Sequence, residues 1–437
     1  MRFLPDSSAR NERGRCRANL RASVNDCAAA SLMVGTGETY LPAFALAAGL
    51  GEVTSGLVST IPLLAGAALQ LAAPMGMRWI GSYRRWVVAC VLVQALSFLP
   101  LAIGAAMGFV GPGLVFLAAA AYWGAGLSSS PAWNTWMGSL VPPRIRADWF
   151  ARRTRIGQAC VMSGFVLAGF ALEWGKSIGY SLQMFALLFL AASVSRFISC
   201  GFLAQQADAP DDTRAHRSVT LIELLGRLRH RTDGALLLYF LAVQCAVQIS
   251  GPFFNPYMLQ HLHLSYVQYV ALVASALGGR ILALPLLGRL ARRFGARTLL
   301  WVGGVGIVPM SAAWVVSDEF YYLLSMQLAI GIAWAAYELA VALLFFEAID
   351  ERERASMLTK YNFAHAAATV IGSLIGGAVL AQLGKRPEIY LGLFVASSVV
   401  RLAALGLLWR VPADDALAPQ PATVPLPAKP PERKAAA

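Results

Sequence analysis

Apolar residues fall in long blocks separated by short polar gaps. A helix needs about 20 mostly apolar residues to cross the hydrocarbon of a bilayer. Twelve stretches meet that length: 24–48, 54–76, 86–108, 113–139, 156–176, 180–203, 234–260, 265–287, 298–317, 320–345, 361–383 and 389–409. Most of the gaps carry Gly, Pro or charge. The pattern predicts an all-α membrane protein with twelve transmembrane helices. The longest gap, 204–233, splits the chain into six-helix halves at 24–203 and 234–410. Within it Leu221, Leu224, Leu225 and Leu228 share one helical face, and Thr220 with Glu223 fits a capping box. This gap is expected to hold an amphipathic helix at the membrane surface. Residues 1–23 read as a basic tail, and 411–437, rich in Pro and Ala, as a disordered one.

Composition supports the membrane class. Of the 437 residues 57% are hydrophobic and 14% charged, against about 25% charged in ordinary soluble domains. The net charge of +13 would suit nucleic acid in a soluble protein. Mapped onto the spans it says something else. With the N-terminus inside, 30 of the 36 Lys and Arg fall on inner segments and 3 in outer loops. The remaining 3, Arg196, Arg280 and Arg401, lie within helices. That asymmetry predicts a multi-pass protein of a cytoplasmic (inner) membrane with both termini cytoplasmic. No nucleic-acid partner is expected. The segment before Val24 does not resemble a cleavable signal peptide. The six cysteines show no metal-ligand spacing and are expected to be free thiols. No phosphate-cradling GxxxxGK[ST] loop is present, which argues against an ATP motor. No cofactor and no enzymatic site are expected.

The halves repeat each other. Gly37 and Pro42 are answered by Gly251 and Pro256, and Pro74 and Gly81 by Gly288 and Gly295, at an offset of 214. Gly164 and Gly169 pair with Gly372 and Gly377 at 208, and Phe189–Arg196 resembles Phe394–Arg401 at 205. An even number of helices per half gives parallel repeats, an architecture of transporters. The stretch Gly288-Arg-Leu-Ala-Arg292-Arg293-Phe-Gly295-Ala-Arg297 is similar to the Gly-x-x-x-Asp-Arg-x-Gly-x-Arg loop of the major facilitator superfamily. With the helix count and the repeat, the chain resembles that superfamily over about residues 24–410. The resemblance implies two halves that rock around a central site lined by helices 1, 4, 7 and 10. It also implies gate loops at Gly288, Arg292, Arg293, Gly295 and Arg297, and at Arg78, Gly81 and Arg84. Arg292 and Arg78 stand where the family has Asp, so another carboxylate is needed for a latch. Asp148, Glu347 and Asp350 are candidates.

Ionisable residues in apolar helices cost about 2.5–3.5 kcal/mol each on insertion scales, so those that remain face water or a partner. Arg196 and Arg401 are copied by the repeat and are expected to serve structure, with side chains able to reach headgroups. Glu38, Arg280 and Glu338 have no charged counterpart in the other half. Scaffold is repeated and chemistry is not, so these three are assigned to function. Glu38 and Glu338 are expected to carry a proton, or else to be permanently paired. Arg280, beside Gly278 and Gly279, could fork onto an anionic substrate group or be neutralised by Glu338. Trp334, Tyr337, Trp133, Asn134, Gln248 and Asn255 are further candidates for contact with substrate, with helix–helix packing as the competing role.

The sequence therefore reads as a monomeric secondary transporter in a lipid bilayer, taking up a polar or anionic small molecule with protons. Export of lipophilic solutes, or a transporter-like sensor without flux, are the alternatives.

Overall fold

A computed structural model describes residues 7–142, 145–208, 232–348 and 351–410. All regular elements among them are helical. In the first half, α1 is Ser7–Thr36, continued after a 3₁₀ turn, Glu38–Tyr40, by Leu41–Ala47. α2 comprises Glu52–Val58 and Ile61–Ile80. α3 is Tyr83–Met107, α4 Pro112–Leu140, α5 Arg146–Ser177 and α6 Ser181–Ala204. In the second half, α7 runs over Thr232–Ser250 and on through a 3₁₀ turn, Gly251–Phe253, to a π-helical turn, Tyr257–His261. α8 and α9 share the stretch Tyr266–Ile307, divided at Gly295. α10 is Phe320–Ala348, α11 Glu351–Leu383 and α12 Pro387–Leu405.

Eleven helices among the described residues are long and apolar enough to cross a membrane. The twelfth span is α1, whose apolar stretch is interrupted at the Glu38–Tyr40 turn. α1 also starts at Ser7, far ahead of that stretch, so much of the basic tail is helical. The amphipathic segment expected around 218–229 and the tail after 410 lie outside the described residues.

The repeat seen in sequence is a repeat of jobs. Gly81 and Gly295 both adopt positive φ, 64° and 83°, and each turns the chain between the second and third helix of its half. L side chains resist that conformation, which accounts for glycine at both places. Both first helices change to 3₁₀ geometry at matching positions, after Gly37 and at Gly251. Gly164 of α5 sits so close to α1 that a Cβ would lie 3.1 Å from the Leu32 carbonyl oxygen. Gly372 of α11 meets the Cys245 carbonyl of α7 in the same way. One further turn along, Gly169 packs on Val270 of α8 and Gly377 on Val53 of α2, each across the boundary between halves. Small residues at these points let helix backbones approach, which is how membrane helices gain packing energy.

Two faces can be distinguished by where the termini lie. At the face opposite the termini, both halves share one apolar core that includes Phe44, Phe185, Phe253, Tyr257, Trp314 and Phe394. Nearer the terminal face each half has a separate core, around Trp136 in the first and Leu299 in the second. Hydrogen bonds across the boundary follow the shared core. Ser373 donates to Thr60 at 2.9 Å, and the Tyr266 backbone N–H donates to Glu173 at 2.7 Å. The structure is closed at the face opposite the termini.

Candidate substrate and coupling site

Glu38 lies in the break of α1. The break has a local cause: a Cβ on Gly37 would come within 2.8 Å of both Ala192 and Phe98, so α3 and α6 press on the backbone here. The freed carbonyls of the preceding turn are taken by the Thr39 hydroxyl, which donates to Val34 and Gly35 at 3.0 and 2.9 Å. Glu38 accepts a short hydrogen bond from the Tyr122 hydroxyl of α4. It also lines a cavity of about 210 Å³ with Thr39, Leu41, Pro42, Ser59 and Trp123. No salt bridge reaches Glu38 among the described residues.

From Tyr122 a polar path continues through the first half toward the terminal face. Gln94 of α3 donates to the Tyr122 carbonyl at 3.2 Å. Its Oε1 accepts from Arg196 through Nε at 3.0 Å and through Nη2. Arg196 Nη1 donates to Ser199 at 3.0 Å, and Ser199 donates to Asp26 Oδ1 at 2.6 Å. Asp26 is then paired with Arg153 of α5 at 3.2 Å. Arg153 also donates to the Ser23 carbonyl at 3.3 Å and lies over the Trp133 ring, 4.3 Å from its centroid. Two carboxylates and two guanidiniums thus lie along one path, hydrogen-bonded from residue to residue except across Tyr122, whose hydroxyl meets Glu38 and whose backbone carbonyl meets Gln94; Asp26 is only 3% exposed. Buried charges persist when they are hydrogen-bonded or paired: each member here is hydrogen-bonded, and Asp26 and Arg153 are ion-paired as well. Arg196 therefore turns inward to protein partners. Trp133 belongs to the Arg153 contact, and Asn134 beside it is exposed.

Asp26 is not among the residues that the sequence singles out. It sits two residues past the start of the first apolar stretch, where a boundary charge needs no explanation. Its signal is that all its helical neighbours on the C-terminal side are apolar or small.

In the second half the pair is Arg280 of α8 and Glu338 of α10, joined directly by Nη2 and Oε1 and both partly exposed. Arg280 is thereby neutralised. The adjacent Gly279 is consumed by packing, since its Cβ would strike the Leu328 carbonyl of α10. Tyr337 is 7% exposed and packs among Tyr239, Phe240 and Trp334, so it belongs to the core of this half. Trp334 is half-buried against it. Asn255 accepts from the buried Tyr269 hydroxyl at 3.3 Å, while Gln248 is half-buried in α7 beside Gly251 and Gly372. Arg401, the repeat mate of Arg196, is 3% exposed and does not reach outward. It donates to the Ile307 carbonyl of α9 at 2.9 Å and to Ser250 of α7 at 3.3 Å. Each arginine therefore links the third helix of its half to the first, Arg196 by way of Ser199.

At the terminal face the first gate loop is held from within its own half. Asp208, just after α6, accepts from the Ser82 hydroxyl and from the Arg84 backbone N–H at 3.2 Å. Arg84 in turn donates to the Gln206 carbonyl at 3.2 Å. Asp208 thus supplies a carboxylate to this loop. The side chains of Arg78, Arg292, Asp148 and Glu347, and the whole of Asp350, lie outside the described residues. In the second loop Gly288 lies within α8, Gly295 makes the turn, and Arg293 lies over the Phe294 ring at 5.2 Å. Arg297 follows in the first turn of α9.

Residues 235–435 match the family model described as Major Facilitator Superfamily. The second half of the chain is thus similar to the major facilitator superfamily. Two solved structures share the fold of this chain. The crystal structure of a point mutant of the nucleoside transporter NupG superposes with a TM-score of 0.68 at 16% identity, covering 89% of this chain and 99% of that one. The crystal structure of the nucleoside transporter NupG itself gives 0.64 at 14% identity, covering 89% and 98%. The family match over the second half and the shared fold indicate a multi-pass membrane transporter and not an enzyme. Among the described residues the two carboxylates that the sequence assigns to function differ in standing: Glu338 is bound to a guanidinium, and Glu38 holds a tyrosine hydroxyl and faces a cavity.

Proposed function

We propose that this protein is a major facilitator superfamily transporter that imports a small polar solute together with protons, and that Glu38 carries the proton. The protein works as a monomer in the cytoplasmic membrane with both termini in the cytoplasm, as the distribution of its basic residues supports. The observation that carries the reading is the position of Glu38, in a break of α1 against a cavity, with no ion pair to fix its charge among the described residues. A carboxylate so placed gains or loses a proton without first breaking a salt bridge. Arg280, engaged by Glu338, offers no free cation for an anionic solute, so an uncharged polar solute is the better fit. Glu38, Thr39 and Ser59 supply the cavity with polar groups, and Trp123 with an aromatic face. Nucleosides are the first compounds to test, because both superposed structures are of a nucleoside transporter.

Purified protein in liposomes is given an imposed pH gradient and a panel of radiolabelled nucleosides, amino acids and small organic acids. The expected result is accumulation of an uncharged compound that collapses with the gradient and is lost in Glu38→Gln, while downhill exchange survives. Gradient-driven accumulation that persists in Glu38→Gln would overturn the role of Glu38.

A further inference from the structure

We propose that Arg196 is a positioning residue that couples the protonation of Glu38 to the Asp26–Arg153 pair, with Asp26 as the second, internal seat for its charge. This rests on the reading of Glu38 as the proton carrier. The geometry is the path already traced: Glu38 to the Tyr122 hydroxyl, the Tyr122 carbonyl to Gln94, Gln94 to Arg196, Arg196 through Ser199 to Asp26, and Asp26 to Arg153. The path links α1 to itself, from the break at Glu38 to a point twelve residues earlier, by way of α4, α3 and α6.

The groups facing each carboxylate are few. Glu38 meets Tyr122 from α4 and feels the charge of Arg196 from α6. Asp26 meets Arg153 from α5, Arg196 and Ser199 from α6, and lies near Cys200 of α6. Arg196 is thus the cation, among the described residues, whose charge bears on both carboxylates. Its fork is divided accordingly, with Nε and Nη2 on Gln94 and Nη1 on Ser199. When Glu38 is ionised, Arg196 serves two anions. When Glu38 takes a proton, the charge of Arg196 falls to Asp26 alone. Asp26 already shares Arg153, whose bond ties α1 to α5 near the terminal face. Protonation at the break is then registered as a change in the α1–α5–α6 contact, the kind of two-state element a rocking half needs. The repeat sharpens the assignment. Arg401 makes the matching helix links, but Phe240 and Pro252 stand where the first half has Asp26 and Glu38. The second half keeps the crosslink without the carboxylates.

The test is infrared difference spectroscopy of the full chain in lipid, following protonated carboxyl bands across pH. The band lost in Glu38→Gln is that of Glu38. In Arg196→Gln its titration midpoint should move to higher pH by about one unit, since a nearby cation favours the ionised form. Arg196→Lys, which keeps the charge, should hold it near the original value. Asp26→Asn frees Arg196 for Glu38 and should move the midpoint down. Should Asp26→Asn not fold, Asp26→Asn with Arg153→Gln removes the pair together and carries the same expectation. A purely structural Arg196 would lower thermal stability and leave the midpoint in place, and an unmoved midpoint in folded Arg196→Gln overturns the proposal. If no titrating band is lost in Glu38→Gln, the reading of Glu38 fails first and the coupling with it.

Discussion

His261 Nε2 of α7 lies 3.3 Å from Glu52 Oε2 of α2, and the two residues belong to opposite halves. The same oxygen accepts a hydrogen bond from Tyr390 of α12, and the His261 and Tyr390 rings sit 4.8 Å apart. One carboxylate therefore gathers two aromatic groups of the other half at the face opposite the termini. The cluster sits over the shared apolar core, where it closes that face.

Removing the charge at this point should open it. Glu52→Gln keeps the shape and replaces the carboxylate that accepts from Tyr390 by a weaker amide acceptor, a loss of about 1 kcal/mol, or roughly fivefold in population. The check is labelling of Thr60→Cys by a membrane-impermeant maleimide, in a background with the six native cysteines replaced. Labelling from the face opposite the termini should rise by about that factor. An unchanged rate would show that the apolar core alone keeps the face shut.

Asp208 should stabilise the first half from the start of the linker. Its carboxylate takes the Ser82 hydroxyl and the first-turn Arg84 N–H of α3, a capping role. Asp208→Ala should cost about 1 kcal/mol, seen as a lower melting temperature of detergent-purified protein. Ser82→Ala should cost about as much, because it removes the cap bond that the Ser82 hydroxyl accepts from the Arg85 N–H together with the bond to Asp208. Equal stability of Asp208→Ala and the parent protein would remove the clamp.

The glycines divide into those that hold helices together and those that do not. A Cβ on Gly331 would run into the Ala276 carbonyl of α8, and one on Gly372 into the Cys245 carbonyl of α7. Gly331→Val and Gly372→Val should each destabilise by about 1–3 kcal/mol or more through overpacking. Gly392→Ala, with nothing within 4 Å, should be silent. Size-exclusion profiles of fluorescently tagged variants after heating would rank them.

The Arg280–Glu338 pair predicts a rescue. Arg280→Gln leaves Glu338 without its cation, and Glu338→Gln does the converse, so each should reduce transport. The double variant Arg280→Gln with Glu338→Gln should recover much of the loss, because neither charge is then stranded. Additive losses in the cycle would mean that the two residues act apart and that Arg280 touches solute in its own right.

Much of the scaffold is legible in the chain. Twelve apolar blocks mark the spans, the basic residues single out the terminal face, and the recurring glycines mark the same turns and contacts in both halves. Gly81 and Gly295 can be matched from sequence, and their common positive φ follows from the turn they make. The site is legible only in part. Glu38 stands out because a carboxylate in an apolar block is costly. Its partner Tyr122 does not, being one aromatic residue among many and 84 positions away. Asp26 lies at the edge of a block, where a charge draws no notice. Arg196 reads as a residue turned to the headgroups, and Tyr337 as a cavity residue; both turn inward to protein instead.

What the sequence by itself determined is which segments are helices, how many there are, that the chain is doubled, and which charges need an account. What only the tertiary structure decided is which way each helix is turned. It alone decided that Arg196 meets Gln94 and Ser199, that Tyr337 is core, and that Glu338 neutralises Arg280. The reason lies in the solvent. In water, a helix announces its buried face by making the other one polar. In a bilayer, lipid and neighbouring helices are equally apolar, so a transmembrane helix can bury any face and its pattern does not record which. Rotation is set by close packing and by polar groups finding one another across many residues of chain, and those matches exist only once the helices are assembled.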